Sequence, residues 1–468
     1  MGGDDLGLTE AVSIALGGMI GGGIYAVLGV VAGITRAAWV AFLAAGVVSL
    51  CAGYSYTRLN AMTDNSGGSV TFVQCYLGNS DLAGMLGWTL LFGYVGSMAM
   101  YAFAFGEFAV SFVGVPVSVG GVPARPVVSV LAVAGFVALN LAGARTSGSA
   151  ENLLVAAKVA ILLAFGALGV AYALGAAPRT GLAFGVGELS SVGPVVAAAV
   201  SFVAFQGWQL LFYDQESIAD AERTIRRAVF VAIPAAVLVY VLVAVVTVSL
   251  APGALESHPH LALKDAARTM LTPYGLGALG GTVLALSALF STGSAINATM
   301  FSSAHLAKGM LDDDLLPDRV GDGDANGAPE RTLALLGAVT AAFTAVGSLN
   351  AITSFASLSF IVVFGAMSLL CLRERDHESV HPAPPAVGAL GAGLFLPLMA
   401  NNLRTREPET FSAVLVLVVL VVGVELLYFK HEALERRVVP IESERIDDAL
   451  DGALDDAIEE FAERSDEE

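Results

Sequence analysis

The sequence predicts an all-α membrane protein, and three observations carry that prediction. Hydrophobic residues make up 56% of the 468 and charged ones only 14%, and the mean hydropathy of +0.74 exceeds what a soluble core requires. The apolar residues fall in runs of about 20, the length at which a helix crosses a bilayer. These runs are too long and too uniformly apolar for the alternating strands of a barrel. In lipid the backbone must satisfy its own hydrogen bonds, so helices are the reading left.

Twelve runs meet that length. The first, 8–33, carries a cluster of glycines, and the second, 37–60, is uniformly apolar. The third, 84–113, holds Glu107 toward its far end, where it reads as a wetted vestibule residue; the fourth is 126–144. The fifth, 151–173, contains Lys158, and the sixth, 193–217, is interrupted by Gln206 and Gly207. The seventh, 228–251, follows the basic cluster Arg223, Arg226 and Arg227, and the eighth, 276–307, is sprinkled with hydroxyls. The runs 331–348, 352–372, 386–403 and 411–429 complete the set. Residues 1–430 thus read as a transmembrane domain and 431–468 as an acidic tail.

Cytoplasmic loops concentrate Lys and Arg, which sets the orientation. With the N-terminus inside, inner segments carry fifteen of the 23 basic residues against seven in outer loops. Arg445 and Arg464 lie too far from a helix end to count, and the bias keeps its sign without them. The chain is therefore expected in the cell membrane, multi-pass, with both termini cytoplasmic.

The net charge of -19 divides unevenly. After Lys430 there are fifteen acids against four bases, so eleven of the negative charges sit in the tail. Lys occurs only at 158, 264, 308 and 430, and several loops are Asp-rich. Acidic, Lys-poor surfaces of this kind resemble those of salt-loving organisms, such as halophilic archaea, and speak to habitat rather than function. In the tail, Ile446, Leu450, Leu454, Ile458 and Phe461 draw one apolar stripe on an acidic helix. It reads either as a short solvated helix or as a surface for a partner or a second copy.

The remaining chemistry is sparse. Cys51, Cys75 and Cys371 imply no disulfide framework. No two histidines share a metal-ligand spacing within a span, and no phosphate loop, nucleophile elbow or zinc motif is present. No enzyme, cofactor, metal or nucleic-acid partner is expected. The N-terminus lacks the basic region and cleavage site of a signal peptide, so the first helix is expected to be retained.

Two spans carry marks of interruption. GGMIGGGIYAVLG places Gly21, Gly22 and Gly23 together in mid-span, at about 1 kcal/mol each in helix propensity. Close packing explains Gly18 and Gly29 but has little use for three glycines in a row, so the helix is expected to open there. The freed N–H groups at Gly22, Gly23 and Ile24 would suit a carboxylate, and the carbonyls at Ile20 and Gly21 an ammonium. Together they suit the head group of an α-amino acid. Five spans later, Phe205, Gln206 and Gly207 interrupt SFVAFQGWQLLFYDQES, with Phe202 and Phe205 placed to line or gate a cavity. Matching breaks in two halves are expected of transporters built from inverted repeats. Here the repeats would be about 8–173 and 193–372, with accessory helices at about 386–429.

Lys158 is the other anomaly, an ammonium in the apolar run ENLLVAAKVAILLAFGALGVAYA. At mid-helix it costs roughly 2.5 to 3.5 kcal/mol on insertion scales, so it should face a polar cavity or a partner. Snorkelling to the inner interface is the competing account.

Together these motifs resemble the amino acid, polyamine and organocation transporter superfamily. GGMIGGGIY, SGGSVTFVQ from Ser66, FVAFQGW leading into DQESIADAERTIRRA, and LLP at Leu315–Pro317 occur in the order that the resemblance requires. It implies a core of ten helices in a five-plus-five inverted repeat, with broken helices one and six holding the substrate. It also implies that Lys158 stands where sodium-coupled relatives place a cation, near carbonyls of helix one and hydroxyls of helix eight, of which Ser294 matches best, and takes part in proton coupling. Asp214, Glu216 and Glu222 are spread out, and His305 replaces an Arg, which departs from the family's pattern at the inner gate. The function implied is secondary transport of amino acids as proton-driven uptake. Exchange of amino acids or polyamines, and a substrate-sensing receptor, are the alternatives.

Overall fold

A computed structural model describes residues 6–63, 67–113, 118–142, 148–175, 181–213, 215–316, 320–321 and 329–406. It also describes 408–409, 411–416, 418–419 and 422–423. The acidic tail, part of the expected twelfth span, Ser66, Asp214 and Pro317 lie outside these residues. One compact unit runs to Val414.

The helices follow the apolar runs. They are α1 (Leu8–Ile34), α2 (Ala38–Ala61), α3 (Ser69–Leu77), α4 (Ser80–Val110), α5 (Ala124–Leu141), α6 (Gly148–Gly175) and α7 (Gly193–Ser201). Then come α8 (Ala221–Leu250), α9 (Pro252–Ser257), α10 (Ala262–Leu271), α11 (Gly277–Asp312), α12 (Glu330–Val346), α13 (Leu349–Arg373) and α14 (Ala383–Arg406). A two-residue hairpin, Ser118–Val119 with Val122–Pro123, turns through Gly120 and Gly121 ahead of α5. Local signals set the boundaries. Asn79 accepts from the Leu82 amide at 2.9 Å to start α4, Ser348 accepts from the Ala351 amide at 3.1 Å to start α13, and Gly78 at φ +59° closes α3.

Ten of the described segments are long and apolar enough to cross a membrane, against the twelve expected. The ninth run is present as α12 but has only 17 residues, about 25 Å at 1.5 Å per residue and short of a bilayer's roughly 30 Å apolar core. The enclosed spans mark the centre. The apolar window of α1 is 89% buried and that of the segment 193–213 is 94% buried, whereas α5 at 17% and α14 at 28% turn most of theirs outward. Around α1 pack α8, α11, α6 and the 193–213 segment, and α4 lies against α11 and α13.

The expected break in the first span is absent, because α1 is one continuous helix from Leu8 to Ile34. The Gly-Gly-Gly run serves packing after all, since successive helical residues point about 100° apart and each glycine meets a different neighbour. A Cβ on Gly21 would stand 2.5 Å from Ala295 Cβ on α11, one on Gly22 would enter the Tyr101 ring of α4, and one on Gly23 would stand 2.6 Å from the Tyr240 hydroxyl of α8. Three contacts at backbone distance need three glycines.

The sixth span does break. The helix α7 tightens into a 3₁₀ turn over Phe202–Phe205, Gln206 is extended, Gly207 takes φ +133°, and a second 3₁₀ stretch covers Trp208–Tyr213. Beyond it Leu6 pairs with the chain near Ile218: the Leu6 amide donates to Ser217 at 2.8 Å and the Ala219 amide donates back to Leu6 at 3.0 Å.

Candidate functional site: a polar network at the broken sixth span

A helix that breaks inside an apolar bundle strands backbone groups away from water, and each must find a partner. Ser357 of α13 supplies two. Its hydroxyl accepts from the Val203 amide at 3.1 Å and donates to the Val200 carbonyl at 2.7 Å. The Gly207 amide donates to Gln209 Oε1 at 2.7 Å, so a side chain completes the turn that the backbone leaves open. The Tyr240 hydroxyl stands 2.9 Å from the Ala204 carbonyl and 2.5 Å from that of Met19, bridging the break to α1.

From the turn a chain of side chains runs toward α4. Gln206 Nε2 donates to the Tyr101 hydroxyl, Gln209 Nε2 donates to Gln206 Oε1 at 3.2 Å, and it also reaches the Tyr94 hydroxyl at 3.4 Å. Gln206, Gln209 and Tyr94 are wholly buried and Tyr101 is 1% exposed. Such a network is neutral. It carries hydroxyl and amide groups able to donate or accept, which suits recognition of a polar, uncharged group beside apolar surface.

The break comes closest to α1 at Gly18. A Cβ on Gly18 would lie 2.7 Å from Gly207 Cα, and one on Gly207 would lie 2.7 Å from the Gly18 carbonyl carbon. Gly207 is also held at a φ that side chains rarely adopt. The two segments therefore cross backbone to backbone.

The expected site residues separate into groups. Gly22 and Gln206 meet at Tyr101, Gly23 meets the break through Tyr240 and Ala204, and Gly207 meets Gly18. Ile20, Gly21 and Ile24 are buried on α1, but in a continuous helix the amides of Gly22, Gly23 and Ile24 bond within it and are not released for a carboxylate. Phe202 lies apart from the network. Its ring packs on Phe364 and Phe395, 5.7 and 5.9 Å away, between α13 and α14. Phe205 packs 5.2 Å from the Tyr240 ring and against Gly46 of α2.

Lys158 is 4% exposed, and its Nζ donates to the Gly17 carbonyl at 3.0 Å. The side chain thus reaches across to α1 and does not snorkel. Asn152 on the same helix donates to Glu10 at 3.0 Å, so α6 is pinned to α1 twice. Ser294 is half-buried on α11, and among the described residues no hydrogen bond joins it to Lys158. Of the two kinds of neighbour the resemblance implied for Lys158, carbonyls of helix one and hydroxyls of helix eight, the hydrogen bond to Gly17 supplies the first.

Tyr94, Tyr101, Gln209, Tyr240 and Ser357 escaped the reading of the sequence. The available signal was a polar group inside an apolar run, the same signal that singled out Gln206 three residues before Gln209.

Comparison with known proteins agrees with this architecture. The family model described as amino acid permease matches residues 6–424. An uncharacterised protein of Methanocaldococcus jannaschii is 30% identical over 314 residues, 67% of this chain and 70% of its own. The inner membrane transport protein YbaT of Escherichia coli is 29% identical over 387 residues, 81% and 85% of the two chains. Among solved structures, a manganese transporter mutant of Eremococcus coleocola superposes with a TM-score of 0.58 over 90% of this chain and 92% of its own. At 12% identity that likeness concerns the fold alone.

Proposed function

The chain belongs to the amino acid permease family, and from that premise we propose that it takes up neutral amino acids together with protons moving down their gradient, by alternating access. It is a membrane transporter and not an enzyme. The substrate would sit where α1, the broken segment and α4 converge, at Gly22, Gln206 and Tyr101. A neutral side chain fits a network of amides and hydroxyls that carries no charge.

The observation that carries proton coupling is the 3.0 Å bond from Lys158 to the Gly17 carbonyl. A charged donor forms a bond roughly twice as strong as a neutral one, so the tie weakens when the ammonium gives up its proton. Loss of the proton would loosen α6 from α1, five residues below Gly22. That part of α1 could then unwind and expose the amides that a carboxylate requires. Ser294 would join the coupling site in that second state.

Uptake of radiolabelled amino acids into proteoliposomes, with and without an inward proton gradient, tests the reading. Stimulation by the gradient that Lys158→Ala abolishes is the expected result. Uptake indifferent to the gradient but dependent on internal substrate would make the protein an exchanger, and would leave Lys158 a structural tie.

A further inference from the structure

A second polar constellation lies away from the network, on the face that carries the α4–α5, α8–α11 and α12–α13 connections. It surrounds an open cavity of about 320 Å³ lined by Phe103, Arg125, His260, Ser348 and Asn350, among others. The guanidinium of Arg125 is stacked 3.9 Å over the Phe103 ring, and its Nη1 donates to the Thr344 carbonyl at 2.7 Å. Stacking uses the flat face of the guanidinium and leaves its in-plane donors free to grip a planar oxyanion from the side. Among the described residues no carboxylate forms an ion pair with Arg125. His260 presses edge-on to the same ring at 5.7 Å, and its Nδ1 is buried without a hydrogen-bond partner.

An opposite charge stands close by. Glu107 lies one helical turn beyond Phe103, on the same face of α4. It pulls electrostatically on Arg125 from beyond ion-pair distance. A cation on the cavity wall and an anion one helical turn beyond it complement a molecule that carries both charges. The cavity lies on helices that also carry the central network. Phe103 sits two residues along α4 from Tyr101, and the backbone of Pro259 and His260 is seated on Gly29 of α1.

We propose that this cavity is a docking site for the zwitterionic head group of an α-amino acid, with the carboxylate on Arg125 and the ammonium toward Glu107. The site holds the substrate on that face before or after its passage through the network at Gln206. This inference rests on the reading of the protein as an amino acid transporter.

The test reads Arg125 directly. The full chain in lipid nanodiscs is treated with phenylglyoxal, and adducts are mapped by peptide mass spectrometry in the presence of glycine, acetate or methylammonium. Glycine should protect Arg125 saturably, at a concentration about threefold to fivefold below that needed with acetate, the factor expected of one added charge contact. Methylammonium should give no protection, and Arg268, exposed on α10, should react equally throughout. In Glu107→Gln, glycine and acetate should become equivalent. Failure of glycine to protect Arg125, or equal protection by glycine and acetate in the wild type, overturns the inference; the second result would leave a simple anion site. If Glu107→Gln does not fold, the wild-type comparison of the three solutes still decides. The labelling needs no transport, so absence of amino acid uptake would count against the proposed function separately from the result at Arg125.

Discussion

Gly18 of α1 and Gly207 of the broken segment touch through their backbones, so closely that a Cβ on either would stand 2.7 Å from the main chain of the other. The contact lies between the two spans that sequence alone marked for interruption. It joins them at the level of the main chain, where no side chain can adjust to relieve a clash.

Gly207→Ala should be the more damaging of the two substitutions. It adds the clash to a φ of +133°, a region that costs of order 1 to 3 kcal/mol for a residue with a side chain. Gly18→Ala adds the clash alone. Thermal unfolding in detergent should place both below wild type, with Gly207→Ala lower; a reversed order would show that the crossing relaxes at the turn.

Tyr101→Phe should destabilise more than its lost bond suggests, because Gln206 Nε2 would be left buried without an acceptor. An orphaned buried donor costs about 1 to 3 kcal/mol. Adding Gln206→Leu to Tyr101→Phe should recover part of that loss. A double-mutant cycle on the unfolding midpoint checks this, and strict additivity would argue that the two side chains are not coupled.

Ser357→Ala removes both the acceptor for the Val203 amide and the donor to the Val200 carbonyl. We expect lower stability by about 2 kcal/mol, in line with a buried hydroxyl that serves two backbone groups. Ser357→Thr, which keeps the hydroxyl, should retain most of it. Equal losses in the two variants would mean that volume and not hydrogen bonding matters there.

How legible the molecule was differs from residue to residue. The spans follow from apolar length, and the broken sixth span from a Gln-Gly pair where lipid allows neither an unsatisfied amide nor a gap. The continuity of α1 was not legible, because three adjacent glycines satisfy unwinding and three-sided packing equally. Only the positions of Ala295, Tyr101 and Tyr240, far along the chain, decide between them. For Lys158 the resemblance pointed to carbonyls of helix one, but which carbonyl it meets, that of Gly17, depends on how two helices pack.

Stability should also depend on acidity through His260. Burial, with a smaller contribution from the Arg125 charge, holds its imidazole below the usual 6.5. The folded protein therefore resists protonation in a range where the unfolded chain accepts it. The contribution is fully present above pH 6.5 and falls away as the pH drops through that value toward the lowered native one. Melting curves from pH 7 to pH 5 should show a steeper decline for wild type than for His260→Gln; parallel curves would remove His260 as a cause.

The pairing of Leu6 with the residues around Ile218 has a practical side. A cargo fused upstream of Leu6 would hang from the single bridge to Ile218 that follows the broken segment, and its drag would act on that segment. Bulky N-terminal reporters should therefore slow turnover, while a small fluorophore at the same place would report on movement of the broken segment.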